Sequence, residues 1–554
     1  MPVSGKAYMI FPVIRTKNNS PTLKRPVLPA ALLALVGLFL LGLCLVYEYK
    51  ETGRPSPTLD DTYIHLQFAK NLAAGEGLSF NPGEQVPGTT SPLWVALLTP
   101  LALFSKQVLV YWSIMLSAVS YLAAGLLAYV LSRKFELGQG PSFLAGALVL
   151  ANGRMLWAGM SGMETDLFAA LSMLGFILYL KDIKKNRMRA VTAIVFGLAS
   201  LTRPEGYMLF AGVLVHFFIV LGNQKKKRST EDPLSLPLLP VMIYLLMVLP
   251  YMVFSLLTIG HPLPTTFLAK QADMAAYRLS YIKFTALYFF LDNPPVALFF
   301  VLGAASGAWK IFSEKLDFLA GREALLVGWP VGYLAVSAAL TPMPFHFCRY
   351  QIPVLPFMII IAVLFGIWVI DKAGGRQFSE KGARFVRHAV YGLLIVGALA
   401  GHLGFQKGKP VLRWPEITAT SADNIYSLHV RLGKWLKNST PEDAVVATQD
   451  IGAMGYYSDR RIIDLVGLVT PEILPYVSGK GFTVERSRLV YQYLEKKRPD
   501  YLAIFPVLYP GLTGNQKVFL PIRIINIPNN QINAERRMVL FRCRWPKAED
   551  NKKQ

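Results

Sequence analysis

The strongest constraint on this chain is a series of apolar runs, about eleven in all, several of them near the 20 residues a helix needs to cross a bilayer. The first is Val27–Val46, VLPAALLALVGLFLLGLCLV. Others follow near Val108–Leu131, Phe143–Met155, Leu167–Leu180, Ala190–Leu201, Tyr207–Leu221, Leu236–Thr258, Pro295–Trp309, Ala324–Leu340, Ile352–Ile370 and Ala389–Leu403. Several are short, which is tolerated where backbone lines a polar cavity inside the protein. Leu93–Phe104 is shorter still and reads as an interfacial or partial span. Only 16% of residues are charged, against about 25% in soluble domains. The runs predict a polytopic α-helical membrane domain over residues 27–403.

The chain has 57 Lys and Arg against 34 Asp and Glu. A basic chain is one signature of nucleic-acid binding, but the positions argue otherwise. Arg133-Lys134, then Lys181, Lys184, Lys185, Arg187 and Arg189, then Lys225–Arg228 fall in alternate loops. Lys310, Lys315 and Arg322, and then Lys372, Arg376, Lys381, Arg384 and Arg387, continue the series. Every second loop being basic is the mark of cytoplasmic loops, so membrane lipids are the expected partners and nucleic acid is not. Residues 1–26, with Lys6, Arg15, Lys17, Lys24 and Arg25, form a cytoplasmic segment. The run after them is too long for a signal peptide, and no small-x-small cleavage site follows. An odd number of crossings then puts the C-terminus outside the cytoplasm. Cys44, Cys348 and Cys543 lie far apart, without disulfide or metal spacing.

Residues 404–554 change character. Ser427–Leu436 has helical apolar spacing, and a second helix is expected over Glu485–Lys497. Ala444–Thr448, Ile462–Val466, Tyr501–Phe505 and Arg537–Arg542 read as strands. Helices alternating with strands predict a C-terminal extracytoplasmic α/β domain. It holds 23 Lys and Arg against 14 Asp and Glu, an excess that topology does not explain. An anionic lipid, an anionic acceptor or a solvated basic face would each account for it.

The external segment 47–106 carries the most informative stretch, LDDTYIHLQFAKNLAAGEGLSFNPGEQVPGTTSPLW at Leu59–Trp94. Asp60 and Asp61 open a helix whose apolar residues Ile64, Phe68 and Leu72 recur every four positions, as in a helix lying on the membrane surface. Aspartates at that position also cap free N–H groups and suit the helix dipole. Trp94, Tyr111, Trp112 and Trp157 near span ends read as aromatic-belt residues.

One span followed by DDTYI…A.NLA.GEGL.FNPGE.V.G.TSPLW resembles the GT-C class of polytopic glycosyltransferases, in particular the cell-wall arabinofuranosyltransferases that use lipid-linked sugars. SGMET at Ser161–Thr165, TRPEG at Thr202–Gly206, PLPTTFLAK at Pro262–Lys270 and RYQIPVLP at Arg349–Pro356 are similar to loop motifs of that family. So is DIGAMGYYSDRRIIDLVGLV at Asp450–Val469. The resemblance implies an inverting enzyme of a bacterial inner membrane. It would move a sugar, such as the pentose arabinofuranose, from a polyprenyl-phosphate donor to a cell-envelope glycan, lipid or protein. The first external loop would supply the catalytic acid residue, Asp60 or Asp61, with Asp60 placed first. Phosphate is its own good leaving group, so the chemistry needs a base for the acceptor hydroxyl and cations for the phosphate. Lys270, Arg349 and Arg203 are the external cations; snorkelling to headgroups is their other reading. Glu164, Glu205, His65, Thr266 and Asp450 are candidate sugar or acceptor contacts, though Arg203 and Glu205 would equally pair with each other. No cofactor motif is present. Some members of the wider class use a divalent ion, so the resemblance leaves a metal open, while the spacing of His65, His261 and His346 does not specify one.

Three other readings remain. A lipid-linked sugar flippase or transporter would also have broken helices and external charges, but no internal repeat is evident. A scaffold subunit would not need the Asp60-Asp61 pair. A ligase or polymerase of lipid-linked oligosaccharides differs only in donor size.

Overall fold

The computed structural model describes residues 27–227, 235–274, 277–314, 316–373, 379–406 and 409–546. The N-terminal segment and Arg228, Lys315 and Arg376 of the basic loops lie outside the described residues. Each apolar run read above falls on a helix. Eight helices are long and apolar enough to cross a membrane, from Val27–Thr52 and Lys106–Lys134 through to Glu380–Gly401. The chain is a multi-pass integral membrane protein with a C-terminal mixed α/β domain.

Three of the expected spans differ. Gln139–Leu150 and Ala190–Thr202 are shorter than a bilayer span, and Thr165–Ile183 carries Asp166, Lys181 and Asp182. The run expected over Phe143–Met155 is broken at Ala151-Asn152, and a new helix, Gly153–Gly159, begins there. The cause is local: Asn152 Oδ1 accepts the N–H groups of Arg154 and Met155 at 3.1 and 3.2 Å, capping the new helix. Arg154 is wholly buried; its Nε lies 2.6 Å from Asp292 and its Nη1 lies 3.3 Å from Gln351 Oε1. This buried pair ties the break to helix Arg278–Asp292 and to the 3₁₀ turn Arg349–Val354.

Helix Asp61–Ala73 forms as expected but does not lie open on a surface. Tyr63, Ile64, Leu66, Phe68 and Ala69 are buried on all sides. The tail covers the helix: the Tyr63 ring lies 5.8 Å from Tyr456 and 5.7 Å from Tyr457, both on helix Gly452–Ser458. The following loop folds back on it. Asn71 Nδ2 donates to the carbonyls of Ser79 and Phe80, with Gly75 and Gly77 at positive φ making the reversal. Asn81 exchanges two hydrogen bonds with the backbone of Ile462 in the tail, at 2.9 and 3.0 Å. Trp94 and Trp157 are buried rather than belt residues; Trp94 Nε1 donates to the Gly162 carbonyl.

A short hairpin, β1 (Leu403–Gln406) and β2 (Lys409–Leu412), leads into the tail. The main sheet contains β3 (Val445–Thr448), β4 (Arg461–Asp464), β5 (Tyr501–Ile504), β6 (Phe519–Asn526) and β7 (Arg537–Cys543). Its order is β4-β3-β5-β7-β6, parallel across β4-β3-β5 and antiparallel beyond. Alternate residues face opposite sides. Val446, Ala503 and Leu540 join the core shared with the membrane domain, whereas Ala447, Leu502 and Val539 face a second core closed by Val490 and Leu494 of helix Val484–Lys497. The sheet is therefore clamped between the membrane domain and its own helix, which fixes the segments after β3 and β4 against the loop between the spans Val27–Thr52 and Lys106–Lys134.

Candidate active site

A cavity of about 390 Å³ opens where the loop between the spans Val27–Thr52 and Lys106–Lys134, several span ends and the tail meet. Asp61, His65, Glu164, Arg203, Glu205, Thr266, Lys270 and Arg349 all line it. These residues are up to 288 positions apart in the chain, and the fold brings them to one wall-to-wall space. Asp60 and Asp450 do not line it.

Asp61, in the first turn of helix Asp61–Ala73, pairs with Arg349 Nη2. Burial pushes its carboxyl up, but the Arg349 and Lys270 charges outweigh burial and hold it well below the usual carboxylate range. Asp61 is thus ionised, and its side chain is still 32% exposed to the cavity.

Asp60 points the other way. Its two oxygens accept the N–H groups of Gly452 and Ala453, each at 2.8 Å, at the start of helix Gly452–Ser458. It caps a tail helix from another part of the chain. Contact is so close that a Cβ on Gly452 would sit 2.0 Å from the Asp60 carbonyl oxygen. Burial lifts the Asp60 carboxyl to about 6; His429 and the two N–H donors oppose that rise and Asp450 adds to it. Asp450 sits beside it, 3.2 Å from His429 Nε2 and 3.1 Å from Gln449 Nε2.

The cavity's cations have different partners. Arg203 is held on both sides, by Glu164 at 2.9 Å and by a two-pronged contact with Glu205 at 2.8 and 3.3 Å. The Tyr333 hydroxyl also reaches Glu205, at 3.2 Å. Arg349 spends one nitrogen on Asp61, and its Nη1 is buried without a hydrogen-bond partner among the described residues. Lys270 has no ion-pair partner among them. Its Nζ lies 5.4 Å from the centre of the Tyr350 ring, over which Arg203 and Arg349 also sit, each at 5.1 Å. Thr266 Oγ1 is likewise buried and unpartnered. Desolvated donors without acceptors are costly; Thr266 and Lys270 lie one turn apart on helix Thr265–Met274, and Arg349 lies against Asp61.

His65 bridges two walls: Nδ1 lies 3.2 Å from Thr89 Oγ1 and Nε2 3.5 Å from Glu164. Burial lowers its tendency to protonate, against the pull of Glu164 and Asp61. A neutral imidazole here orients Glu164 and the GTTSP loop. Among the described residues no three His, Cys, Asp or Glu side chains are grouped to hold a metal ion, so these residues do not fit the divalent ion left open above. Tyr350 was not singled out from the sequence; its position next to Arg349 in RYQIPVLP was the available signal.

A second cavity, about 350 Å³ and lined by apolar residues with Gly212, Gly328 and Gly332, runs between helices Glu205–Lys227 and Arg322–Leu340. It shares Met208 and Val336 with the first cavity. The two cavities border each other at these residues: one carries the charged groups on a largely apolar lining, and the other lies between two spans.

Solved structures with this architecture include the Archaeoglobus fulgidus oligosaccharyltransferase in its apo form, with TM-score 0.58 and 12% identity, covering 87% of this chain and 70% of that one. The archaeal oligosaccharyltransferase AglB from Archaeoglobus fulgidus, in complex with an inhibitory peptide and a dolichol-phosphate, aligns with TM-score 0.57 and 14% identity over 86% and 69% of the two chains. ArnT from Cupriavidus metallidurans bound to undecaprenyl phosphate aligns with TM-score 0.56 and 13% identity over 92% and 97%. The fold is that of the GT-C membrane glycosyltransferases. A protein-family model described as a domain of unknown function (DUF8728) matches residues 422–545 of the tail. No curated protein matches the chain.

Proposed function

We propose that this chain is an inverting glycosyltransferase that moves a sugar from a polyprenyl-phosphate donor to an acceptor in the cell envelope. The observation that carries this reading is the cavity's set of unsatisfied donors: Lys270, Arg349 Nη1 and Thr266 Oγ1, in one space with an ionised Asp61. An anionic phosphate would complement Lys270 and Arg349, and its hydrocarbon chain would lie along the apolar groove between the two spans. The neighbours bound to dolichol-phosphate and undecaprenyl phosphate support a lipid carrier of this kind.

In the reaction, the acceptor oxygen bonds to the anomeric carbon as its proton passes to Asp61. The bond from that carbon to the phosphate oxygen breaks, and its electron pair leaves with the polyprenyl phosphate, held by Lys270 and Arg349. Attack opposite the leaving group inverts the anomeric centre, the logic that also governs inverting glycosidases. Asp61 bound only to Arg349 is a weak base. A phosphate entering beside it draws on the same cations and adds negative charge, and both effects raise the Asp61 carboxyl. Donor binding therefore prepares the base. Arg203, saturated by Glu164 and Glu205, holds the wall and is not the phosphate ligand. Glu164, Glu205 and His65 line the cavity and are the side chains offered to sugar hydroxyls, while Asp450 lies outside it, against His429. The motif resemblance makes a pentose such as arabinofuranose, in a bacterial inner membrane with the tail outside, the first donor to try.

The test is transfer in proteoliposomes from a panel of radiolabelled polyprenyl-phosphate sugars to a crude envelope acceptor. Transfer by the wild type that Asp61→Asn abolishes, with the fold intact, supports the reading and names the sugar. Transfer only from oligosaccharide donors assigns a lipid-linked oligosaccharide ligase or polymerase. No transfer, with labelled lipid crossing the bilayer in the same vesicles, assigns a flippase.

A further inference from the structure

The basic excess of the tail is not spread evenly. Helix Arg431–Ser439 buries Leu432, Gly433 and Leu436 and turns Arg431, Lys434 and Lys437, three residues apart, to its other side. Three more cations join them from the membrane domain: Arg54, just after the span Val27–Thr52, Lys106, which opens the span Lys106–Lys134, and Lys70. The band is continuous. Arg54, Arg431 and Lys434 lie 4.8, 5.6 and 5.7 Å from the centre of the Tyr426 ring. Lys434 also lies 5.2 Å from Tyr457, whose ring is 5.1 Å from that of Tyr456. Lys106 and Lys70 lie 5.5 and 6.0 Å from Tyr456. At that end Lys106, Lys437 and Lys70 converge on Asp459, at 2.6, 2.6 and 3.0 Å.

Three features say what this band faces. Three of the six cations share one carboxylate, Asp459, and Arg54, Arg431 and Lys434 have no ion-pair partner among the described residues. Thr52 and Lys106 are ends of two packed, successive spans on one side of the bilayer, so their height marks its surface. In the turn just before Lys106, Leu103 and Phe104 are 72% and 75% exposed, as expected of apolar side chains at a bilayer surface. We infer that this band is a docking surface for anionic phospholipid headgroups that holds the tail down on the bilayer. Charge complementarity carries the choice: a polybasic face at headgroup height is drawn to anionic lipid, and tyrosines sit well at that depth. The band lies on the Tyr63 side of helix Asp61–Ala73, against the tail, while Asp61 faces the cavity, so this inference stands independently of the reaction.

The test uses the full chain in vesicles of phosphatidylcholine with either a headgroup-photoreactive phosphatidylglycerol or the matching phosphatidylcholine probe. Crosslinks are mapped by peptide mass. The expected result is crosslinking over residues 426–437 by the anionic probe, lost at high salt and reduced about tenfold or more in R431Q/K434Q. Neither residue makes an ion pair, so that variant loses only ring contacts with Tyr426 and Tyr457 and its melting temperature falls little, and the salt series on the wild type stands should it fail to fold. Equal crosslinking by both probes, no change in the variant, or crosslinks displaced by a soluble phosphorylated saccharide at constant salt would each overturn the inference.

Discussion

Asp60 and Asp61 are chain neighbours with opposite surroundings, and that contrast separates their roles experimentally. Asp61→Asn keeps the shape of the Arg349 contact but removes the proton acceptor. Transfer should fall by about 10²- to 10⁴-fold in kcat, the usual worth of a general base, and the melting temperature should fall as well, because buried Arg349 loses its carboxylate partner. Asp60→Asn should instead loosen the tail, because one of the two N–H groups at Gly452 and Ala453 loses its carboxylate acceptor. Its pH dependence has a definite sign. The folded Asp60 carboxyl titrates near 6, above the ordinary aspartate value of about 3.9. The folded state therefore holds the proton more tightly, and this contribution is complete below about pH 4 and lost as pH rises through about 6, about 3 kcal/mol in all. Melting of wild type minus Asp60→Asn between pH 4 and 8 should show that slope; a flat difference would refute it. From the sequence both aspartates were visible as a pair, and helix capping was visible as an alternative. What was not legible is that one of them caps a helix nearly 400 residues away, since nothing local encodes a partner of that distance.

Among the elements, the break at Asn152 organises more than its own helix. Arg154 reaches Asp292, Gln351 and the Phe347 carbonyl, so it braces the segment that presents Arg349. That segment needs bracing: His346, Phe347 and Cys348 have φ of 53°, 57° and 53°, three successive left-handed residues without a glycine. Each costs roughly 1–2 kcal/mol in backbone strain. Arg154→Met strands Asp292 in the interior and should cost about 3–5 kcal/mol, whereas Arg154→Met/Asp292→Leu should recover most of it. A double-mutant cycle by denaturant or thermal melting checks this; additive losses would mean that the pair is not the brace. The apolar runs made the spans legible because twenty residues without charge have few other uses. The break was missed because Phe143–Met155 is nearly as apolar as a span, and only the Asn-Gly-Arg triplet marks the cap. Strands β3, β5 and β7 were legible as short β-rich runs, but β6, FLPIRIIN, was not. It is an edge strand that turns Ile522 and Ile524 outward, so its hydrophobicity carries no alternation toward a core.

The whole molecule brings together a chamber that carries Asp61, Lys270 and Arg349, walled by the first loop, the span ends and Leu468 of the tail, and an apolar groove that borders it at Met208 and Val336 between two spans. Neither part alone calls for a lipid phosphate: unpaired cations accept any anion, and a groove between spans accepts any acyl chain. Their junction at Met208 and Val336 does, because it requires one molecule with a charged head and a long apolar tail. Undecaprenyl phosphate should therefore raise the melting temperature of the detergent-solubilised protein. At about 100 times its Kd the gain is roughly 2.7 kcal/mol of stability. Undecaprenol, which lacks the anion, and inorganic phosphate, which lacks the chain, should each give a small part of that shift. Lys270→Met should abolish the difference between undecaprenyl phosphate and undecaprenol while leaving the response to undecaprenol alone intact, because it removes the cation and spares the groove. If undecaprenol stabilised the wild type as well as its phosphate does, the chamber would not be reading the donor's headgroup, and the role given to Lys270 and Arg349 would fall with it.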